Sequence, residues 1–515
     1  MKLSRLAEII LTFTLLFVIA QPEKRAMSPD GKWIAYTIAT PDLAKDRYFD
    51  DIWLVPADGG VTKPLTTHPE NDYSPRWSPD GKRIAFISER KGKPNLFMIS
   101  LDGGEAKQVT FSKTGLYSPI WSKDGLHIIC GSRVLPARKN TIENWTKNEL
   151  PECNARSIDR LLFRQWDTWL GDKKNHIFLV DLNDGSMKHL KPGDFDTPPV
   201  SLSSSHDFDI SPDGETLVYR KGYNHRPYEI YSQPTNGEKP TQLTWANREF
   251  DETFDLPQVE TFRFPGANGD TVHGFLLRPP HFDPEKKYPV ILTIHGGPQN
   301  MWGDRFMLSW FTMQLITSPG YVGVFINPRG STGYSSTFRE EVSRDYGGKC
   351  FEDLVKGLDF VIAKYGFIDK DRQAVIGGSF GGYSVNWLMG HTNRFKCAVS
   401  HAGLYNLTSF FGATEELWFP AWDMGTTPWD EPELYDKWSP HRFAKNFRTP
   451  TLVTQGELDF RVPVGESLQL FTALQRQGIP SRLVIFPDEG HEILGLQNNV
   501  RWWKEMHRWL AKYLN

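Results

Sequence analysis

Three residues in the second half of the chain have the types and order needed for nucleophilic catalysis. Ser379 lies at the centre of GGSFGGY, between the apolar run AVI and a helix-like segment. Because a serine hydroxyl is a weak nucleophile at neutral pH, it needs a base to take its proton and an acid to orient that base. In a strand–turn–helix setting these partners come later in the chain, with the acid before the histidine. Asp459, in GELDF, and His491, in DEGH, satisfy that order.

Each of these two partners has one rival nearby. Glu457 precedes Asp459 by two positions and lies nearer the preceding strand, which favours Asp459 as the acid and leaves Glu457 as a possible support. His507 is the other histidine beyond the acid, but it lies in an amphipathic terminal segment where a surface histidine is expected. His491 follows a β-like run and a turn, and it is therefore the predicted base.

The same chemistry needs backbone donors for a developing oxyanion. Phe380, directly after the serine, supplies one N–H, and the loop HGGP after an early strand supplies another, which we assign to Gly297. Gly377 and Gly381 flank the serine and remove side chains where a sharp turn presses strand and helix together. This spacing predicts a nucleophile elbow rather than a glycine-rich turn that only packs.

The surrounding sequence from residue 258 onward predicts the elements that position these residues. Apolar runs such as VILTIHGG, YVGVFINP, CAVSHAG and TLVTQG alternate with amphipathic segments such as FEDLVKGLDFVIAKYG. Strands that are apolar throughout and separated by helices are typical of a doubly wound, mostly parallel sheet covered on both faces. Such sheets react at the carboxyl ends of their strands, where all the predicted site residues fall. The fold class predicted here is an α/β hydrolase.

The first half instead repeats one phrase four times. MSPDGKWIAYTI, WSPDGKRIAFIS, WSKDGLHIICGS and ISPDGETLVYRK each place an Asp-Gly turn before an alternating β run. The first three copies follow one another at intervals of 50 and 44 residues, and the step to the fourth is longer because a segment at about 133–171 is inserted between the two halves of the third unit. The period predicts an all-β, propeller-like domain shortened to about four blades, with a hairpin sandwich as the alternative.

These patterns divide the chain into an expected signal peptide at 1–20, a β-propeller at 21–257 and a hydrolase domain at 258–515. The first segment has two basic residues followed by a short apolar run, which predicts a secreted or periplasmic protein without stable membrane insertion after cleavage. An uncleaved anchor is the alternative. A formal charge of −3 argues against nucleic acid as a partner, and four scattered cysteines indicate neither a metal site nor a disulfide framework. No metal or cofactor is expected.

With these blades and HGGP, NPRGSTGY, GGSFGGY, GELDFRVP and DEGH in this order, the chain resembles the prolyl oligopeptidase family of serine peptidases. The likeness is greatest to its acylaminoacyl peptidase and dipeptidyl-peptidase 5 branch. It extends to LLFRQWDTW in the inserted segment and to GATEELWFPAWDMGTTPW. The chain departs from the family in having Phe380 where a tyrosine is usual, and in having fewer blades.

The resemblance implies a triad of Ser379, His491 and Asp459, with an oxyanion hole from Gly297 and Phe380. It further implies a propeller that restricts entry to short peptides, and cleavage near a peptide's N-terminus after an apolar residue. The aromatic residues expected to wall the apolar pocket are Trp418, Phe419, Trp422 and Trp429. An exopeptidase also needs carboxylates for the substrate's α-ammonium group, and the inserted segment offers Glu152, Asp159 and Asp167.

The predicted function is therefore a serine peptidase acting on short peptides, in dipeptidyl-peptidase or acylaminoacyl-peptidase mode. A carboxylesterase using the same triad is one alternative. A propeller scaffold with an inert hydrolase domain is another. Short peptides are the expected partners, and the sequence is compatible with a homo-oligomer.

Overall fold

The computed structural model describes residues 21–101, 104–135, 163–170, 173–190, 208–306 and 312–515, with residues 155, 156, 158, 161, 192 and 193. The expected signal peptide at 1–20 lies outside these ranges. Within them, every helix is too short or too polar to cross a lipid bilayer.

The first half of the chain forms four antiparallel sheets of four strands each. The first two sheets use consecutive strands: β1 (Gln21–Met27), β2 (Trp33–Asp42), β3 (Arg47–Pro56), β4 (Lys63–Pro64), β5 (Asp72–Trp77), β6 (Arg83–Ser88), β7 (Asn95–Ser100) and β8 (Lys107–Gln108). The third sheet contains β9 (Tyr117–Trp121), β10 (His127–Val134), β13 (Lys174–Asp181) and β14 (Met187–His189), and the fourth contains β15 (Phe208–Ile210), β16 (Thr216–Tyr223), β17 (Arg226–Pro234) and β18 (Thr241–Gln242). A separate hairpin between β10 and β13 pairs β11 (Arg164–Gln165) with β12 (Thr168–Trp169).

The repeated phrase forms the same turn in every sheet. In the first copy the Ser28 hydroxyl donates to Asp30 Oδ1 at 2.6 Å, and the Asp30 carboxylate accepts the Lys32 N–H at 3.1 Å. The glycine of each phrase takes the positive φ that the turn requires, between 70° and 76°. The aspartate thus acts through its carboxylate and the glycine through its backbone, which explains why the pair recurs.

Apolar side chains join these sheets face to face in a fixed order. One cluster joins the first and second sheets through Leu54 and Phe86, and another joins the second and third through Leu96 and Ile128. A further cluster packs Tyr36 of the first sheet with residues of the fourth. The sheets therefore follow one another in the order fourth, first, second, third, as blades do in a propeller.

The second half forms one sheet of eight strands. In spatial order these are β19 (Glu260–Pro265), β20 (Thr271–Leu277), β22 (Val322–Asn327), β21 (Tyr288–Ile294), β23 (Ile368–Gly378), β24 (Cys397–His401), β25 (Thr451–Gly456) and β26 (Ser481–Phe486). The six strands from β22 to β26 run parallel to one another, whereas β19 and β20 pair antiparallel. This confirms the predicted doubly wound fold, with an antiparallel edge.

Helices cover both faces of this sheet and complete two apolar cores. They are α1 (Arg248–Thr253), α2 (Met313–Thr317), α3 (Ser336–Glu340), α4 (Lys349–Lys364), α5 (Phe380–His391), α6 (Leu407–Ala413), α7 (Trp418–Met424), α8 (Pro432–Trp438), α9 (Val464–Arg476) and α10 (Leu496–Leu514). Short 3₁₀ turns span Ala267–Gly269 and Pro440–Asn446. On one face α10 packs Trp502 and Trp503, both fully buried, against strand residues such as Val399.

Polar contacts join the two halves at several places. The turn between β2 and β3 meets the start of α10, where Gln497 N–H donates to Asp46 Oδ1 at 2.8 Å. In the fourth sheet, the Asn224 N–H donates to Asp304 Oδ1 at 2.8 Å. The β11–β12 hairpin adds a contact beside the predicted site, because Phe460 N–H donates to the Trp166 carbonyl at 2.9 Å.

Candidate active site

Ser379 occupies a strained turn between β23 and α5. Its φ and ψ are 58° and −124°, a conformation that L-residues adopt only when their surroundings impose it. A Cβ added to Gly377 would lie 2.3 Å from the Gly381 carbonyl oxygen, and one added to Gly381 would lie 2.2 Å from that of Ile294. Glycine is therefore required on both sides of the serine. The Ser379 N–H is fixed by donating to the carbonyl of His401 at 3.0 Å.

Asp459 and His491 meet after the last two strands. His491 Nδ1 lies 2.8 Å from Asp459 Oδ2, and both side chains are buried. The Asp459 carboxylate also accepts the Arg461 and Val462 N–H groups at 3.0 and 2.9 Å. Its rival Glu457 is exposed to solvent. The geometry gives the acid a fixed orientation toward one ring nitrogen of the histidine.

The environment of His491 controls its charge. Burial opposes the imidazolium, but the Asp459 charge and its hydrogen bond favour it, and the pKa of His491 lies above its usual value. Trp166 packs beside the ring, with centroids 6.1 Å apart. The carboxylate orients the buried imidazole and stabilises its protonated form. Such a ring is suited to receive a proton and return it.

Of the two residues predicted for the oxyanion hole, Phe380 follows the serine in the chain and Gly297 lines the cavity that the serine also lines. Phe380 is the first residue of α5, where a backbone N–H has no acceptor within its own helix. Its ring is buried against Tyr346 and Tyr383, so the side chain packs in the core. Gly297 has φ of 123°, a value that favours glycine, and it lines the same cavity as Ser379.

A cavity of about 480 Å³ contains Ser379 and His491. Of the aromatic residues predicted for a pocket, Trp418 and Phe419 line this cavity. Trp422 is 76% exposed and Trp429 is 72% exposed, and neither belongs to the described lining. They lie at the end of α7 and beyond it, where the side chains point to solvent or, for Trp429, pack on Phe411.

The carboxylates predicted in the inserted segment fall in different places. Glu152 and Asp159 lie outside the described residues. Asp167 is exposed on the β11–β12 hairpin. A Cβ added to Gly490, the neighbour of His491, would lie 2.7 Å from the Cβ of Asp167. The hairpin therefore reaches the site.

Several residues of the cavity were not anticipated from the sequence, and three of them bear on its charge and shape. Trp166, Glu416 and Arg461 all line the cavity beside Ser379. Trp166 lies in LLFRQWDTW and Glu416 in GATEELWFP, two stretches that carry the family resemblance, while Arg461 follows the predicted acid by two positions. His507 also differs from expectation: it is buried, with Nε2 2.8 Å from the Leu315 carbonyl, because α10 packs against α2.

Comparison with known proteins agrees with both halves of this architecture. Residues 306–515 match the prolyl oligopeptidase family, and residues 38–148 match the tricorn protease N-terminal β-propeller domain. Dipeptidyl-peptidase 5 of Porphyromonas gingivalis is 27% identical over an alignment of 659 residues that covers 98% of this chain and 95% of that protein. Dipeptidyl-peptidase 5 of Schizosaccharomyces pombe is 37% identical over 256 residues. This match covers 49% of this chain and only 37% of that relative.

The solved structure of Pyrococcus horikoshii acylaminoacyl peptidase has the same fold. It superposes with a TM-score of 0.82 at 20% identity, covering 97% of each chain. A serine elbow on a doubly wound sheet, preceded by propeller blades, defines a propeller-bearing α/β hydrolase. Within that class, the second half of the chain has the sequence of a prolyl oligopeptidase family domain, since residues 306–515 match that family.

Proposed function

We propose that this protein is a serine exopeptidase that releases short fragments from the N-terminus of peptides. Ser379 is the nucleophile, His491 the general base and acid, and Asp459 the residue that orients the imidazole. The observation that carries the proposal is the 2.8 Å contact of His491 with Asp459, in the cavity that also contains the strained Ser379. The dipeptidyl-peptidase 5 relatives support the dipeptidyl mode.

The chemistry follows from these positions. His491 takes the Ser379 proton as Oγ attacks the scissile carbonyl carbon, and the oxyanion of the tetrahedral intermediate accepts hydrogen bonds from Gly297 and Phe380 N–H. When the intermediate collapses, the C–N bond breaks and the imidazolium gives its proton to the leaving amine. Water activated by His491 then attacks the acyl-serine ester, releasing the fragment and restoring Ser379.

The signal expected at residues 1–20 supports an exported enzyme, and we include secretion or periplasmic location in the proposal. N-terminal sequencing of protein recovered from its native host tests this point. A mature chain beginning near Gln21 is the expected result, whereas retention of residues 1–20 would contradict cleavage.

The function is tested with three substrates and the Ser379→Ala variant. The substrates are alanyl-alanine p-nitroanilide, its N-acetyl form and p-nitrophenyl acetate. We expect turnover of the free-amine anilide that the variant abolishes, together with fluorophosphonate labelling of wild type only. Turnover of the ester alone would instead indicate a carboxylesterase. Folded wild-type protein that fails to label would indicate an inert hydrolase domain.

A further inference from the structure

Glu416 is a carboxylate at the wall of the cavity that contains Ser379. It follows α6 in the chain, and its side chain is 13% exposed. Its Oε2 accepts from Arg461 Nη1 at 2.7 Å. Its neighbour Glu415 has a fully buried side chain and is absent from the described lining of the cavity. Of this glutamate pair, Glu416 is therefore the one that faces the space a substrate would occupy.

Arg461 fixes both glutamates and links them to the triad acid. Its Nε and Nη2 donate to Glu415 Oε1 at 2.9 and 2.6 Å, and its backbone N–H donates to Asp459 Oδ1 at 3.0 Å. Its guanidinium also stacks on Trp166 at 3.6 Å from the ring centroid. With both oxygens of Glu415 buried and three guanidinium nitrogens engaged, Glu416 is held in one place at the cavity wall.

The two glutamates differ in their positive neighbours. Arg461 contacts both of them, whereas the further positive charge of Arg164 acts on Glu415, the member away from the cavity. Burial raises the pKa of Glu416 to about 7, with Arg461 lowering it and Glu415 raising it. A cation brought to this wall would relieve that cost, because a buried carboxylate is stabilised by a charged donor.

We propose that Glu416, held by Arg461, binds the α-ammonium group of the peptide substrate. This inference rests on the proposed exopeptidase function, and it names the substrate class as peptides with a free N-terminus. It also moves the ammonium site from the inserted segment, where the sequence suggested carboxylates, to the hydrolase domain. The cavity contains a second carboxylate, Glu492, which is exposed and lies next to His491.

The test compares alanyl-alanine p-nitroanilide with lactyl-alanine p-nitroanilide, in which a hydroxyl replaces the ammonium group. Wild type should prefer the free amine in kcat/KM by about 10- to 100-fold, the usual value of a charge-assisted hydrogen bond. Glu416→Gln keeps the shape and an acceptor for Arg461 but removes the charge, and it should reduce this preference to less than threefold. Its turnover of the lactyl substrate should fall less than its turnover of the free-amine substrate.

Glu492→Gln serves as the matched control, since it removes the second carboxylate of the described cavity lining. It should keep the preference for the free amine. The assignment to Glu416 is overturned if Glu492→Gln removes the preference equally, if Glu416→Gln slows both substrates alike, or if wild type does not distinguish them.

A binding measurement separates failure of this inference from failure of the proposed function. Alanyl-alanine amide should slow fluorophosphonate labelling of wild-type Ser379 at lower concentration than lactyl-alanine amide does. That difference is expected even if no anilide is turned over, and its absence would refute the proposal even if Glu416→Gln does not fold. Equal protection by the two amides would refute the ammonium site while leaving the triad intact.

Discussion

The imidazole Nε2 of His401 lies 3.2 Å from the backbone carbonyl oxygen of His491. The carbonyl can only accept, so Nε2 carries the proton and Nδ1 accepts from the Thr454 hydroxyl at 2.8 Å. Burial lowers the pKa of His401 to about 3, which keeps this ring neutral. The His401 backbone carbonyl also receives the Ser379 N–H. One residue thus ties the segment of Ser379 to the segment of His491, the proposed nucleophile and the proposed base.

This link predicts that His401→Phe lowers kcat by about 10- to 100-fold with little change in KM, because small displacements of catalytic groups are costly. The ring size is kept, but two buried hydrogen bonds are lost. His401→Gln is the matched control, since its amide can still donate to the His491 carbonyl, and it should retain more activity than the phenylalanine variant. Equal kcat values for the two variants would argue against a positioning role.

Asp459→Asn should lower kcat by about 10³- to 10⁴-fold and shift its pH dependence. Activity rises with pH as His491 loses its proton, and the Asp459 carboxylate holds the pKa of that histidine above its usual value. Loss of this charge lowers the pKa, so the rise in kcat should move to lower pH. The measurement is kcat against pH for both proteins with one anilide substrate. An unshifted rise would contradict the pairing.

The KM for free-amine substrates should fall as pH rises through about 7. Glu416 gains its charge over that range, since its pKa is raised to about 7, and a peptide α-ammonium stays protonated until pH ~8. The charged groups facing Glu416 are Arg461, Glu415, His491 and Asp459, with Arg305 and Glu492 elsewhere in the cavity. Measured KM against pH should therefore be steep for alanyl-alanine p-nitroanilide and flat for the lactyl substrate.

Two controls bear on this pH dependence. In Glu416→Gln the fall of KM should disappear, whereas titration of His491 should still shape kcat. A fall that persists in the glutamine variant would assign the titration to another of these groups.

Trp166→Ala should raise KM for anilides by about 3- to 30-fold, the range expected for a desolvated cation–π contact. The indole covers the Arg461 guanidinium and packs beside His491. Trp169→Ala is the matched control, because Trp169 lies in the same hairpin but packs on Phe460 and is not among the described cavity residues. Similar KM values for both variants would show that the hairpin acts only through its fold.

Gly381→Ala should abolish activity and destabilise the protein, because the added methyl would lie 2.2 Å from the backbone oxygen of Ile294. Gly412→Ala is the control. It lies within α6 with no atom within 4 Å of the added Cβ, and should stabilise by about 0.5–1 kcal/mol as a helical glycine replacement does. Thermal melting and fluorophosphonate labelling of both variants check this. A Gly381→Ala protein that labels normally would contradict the required close approach.

Local patterns made the elbow and its partners predictable from the sequence. The strand, the flanking glycines and the helix around Ser379 are contiguous, and the order of acid and histidine follows from the order of strands in the sheet. Asp459 could be preferred to Glu457 by position in its loop. The four blades were visible because each repeats the same short turn.

The specificity-related part of the site depends on contacts between distant segments. Trp166, Glu416 and Arg461 come from the inserted hairpin, the loop before α7 and the loop after β25, and only packing brings them together. The residues next to Glu416 in the sequence do not distinguish it from a glutamate on the protein surface. The same holds for Trp422, whose aromatic neighbours in the sequence suggested a pocket although it faces solvent, and for His507, which docking of α10 buries.

The order of the four sheets has a consequence for how such a domain can change its size. The fourth sheet, which leads into the hydrolase domain, packs on the first, so the beginning and the end of the repeat array are neighbours. Blades can therefore be gained or lost at the junction between the third and fourth repeats while the attachment to the enzyme stays the same.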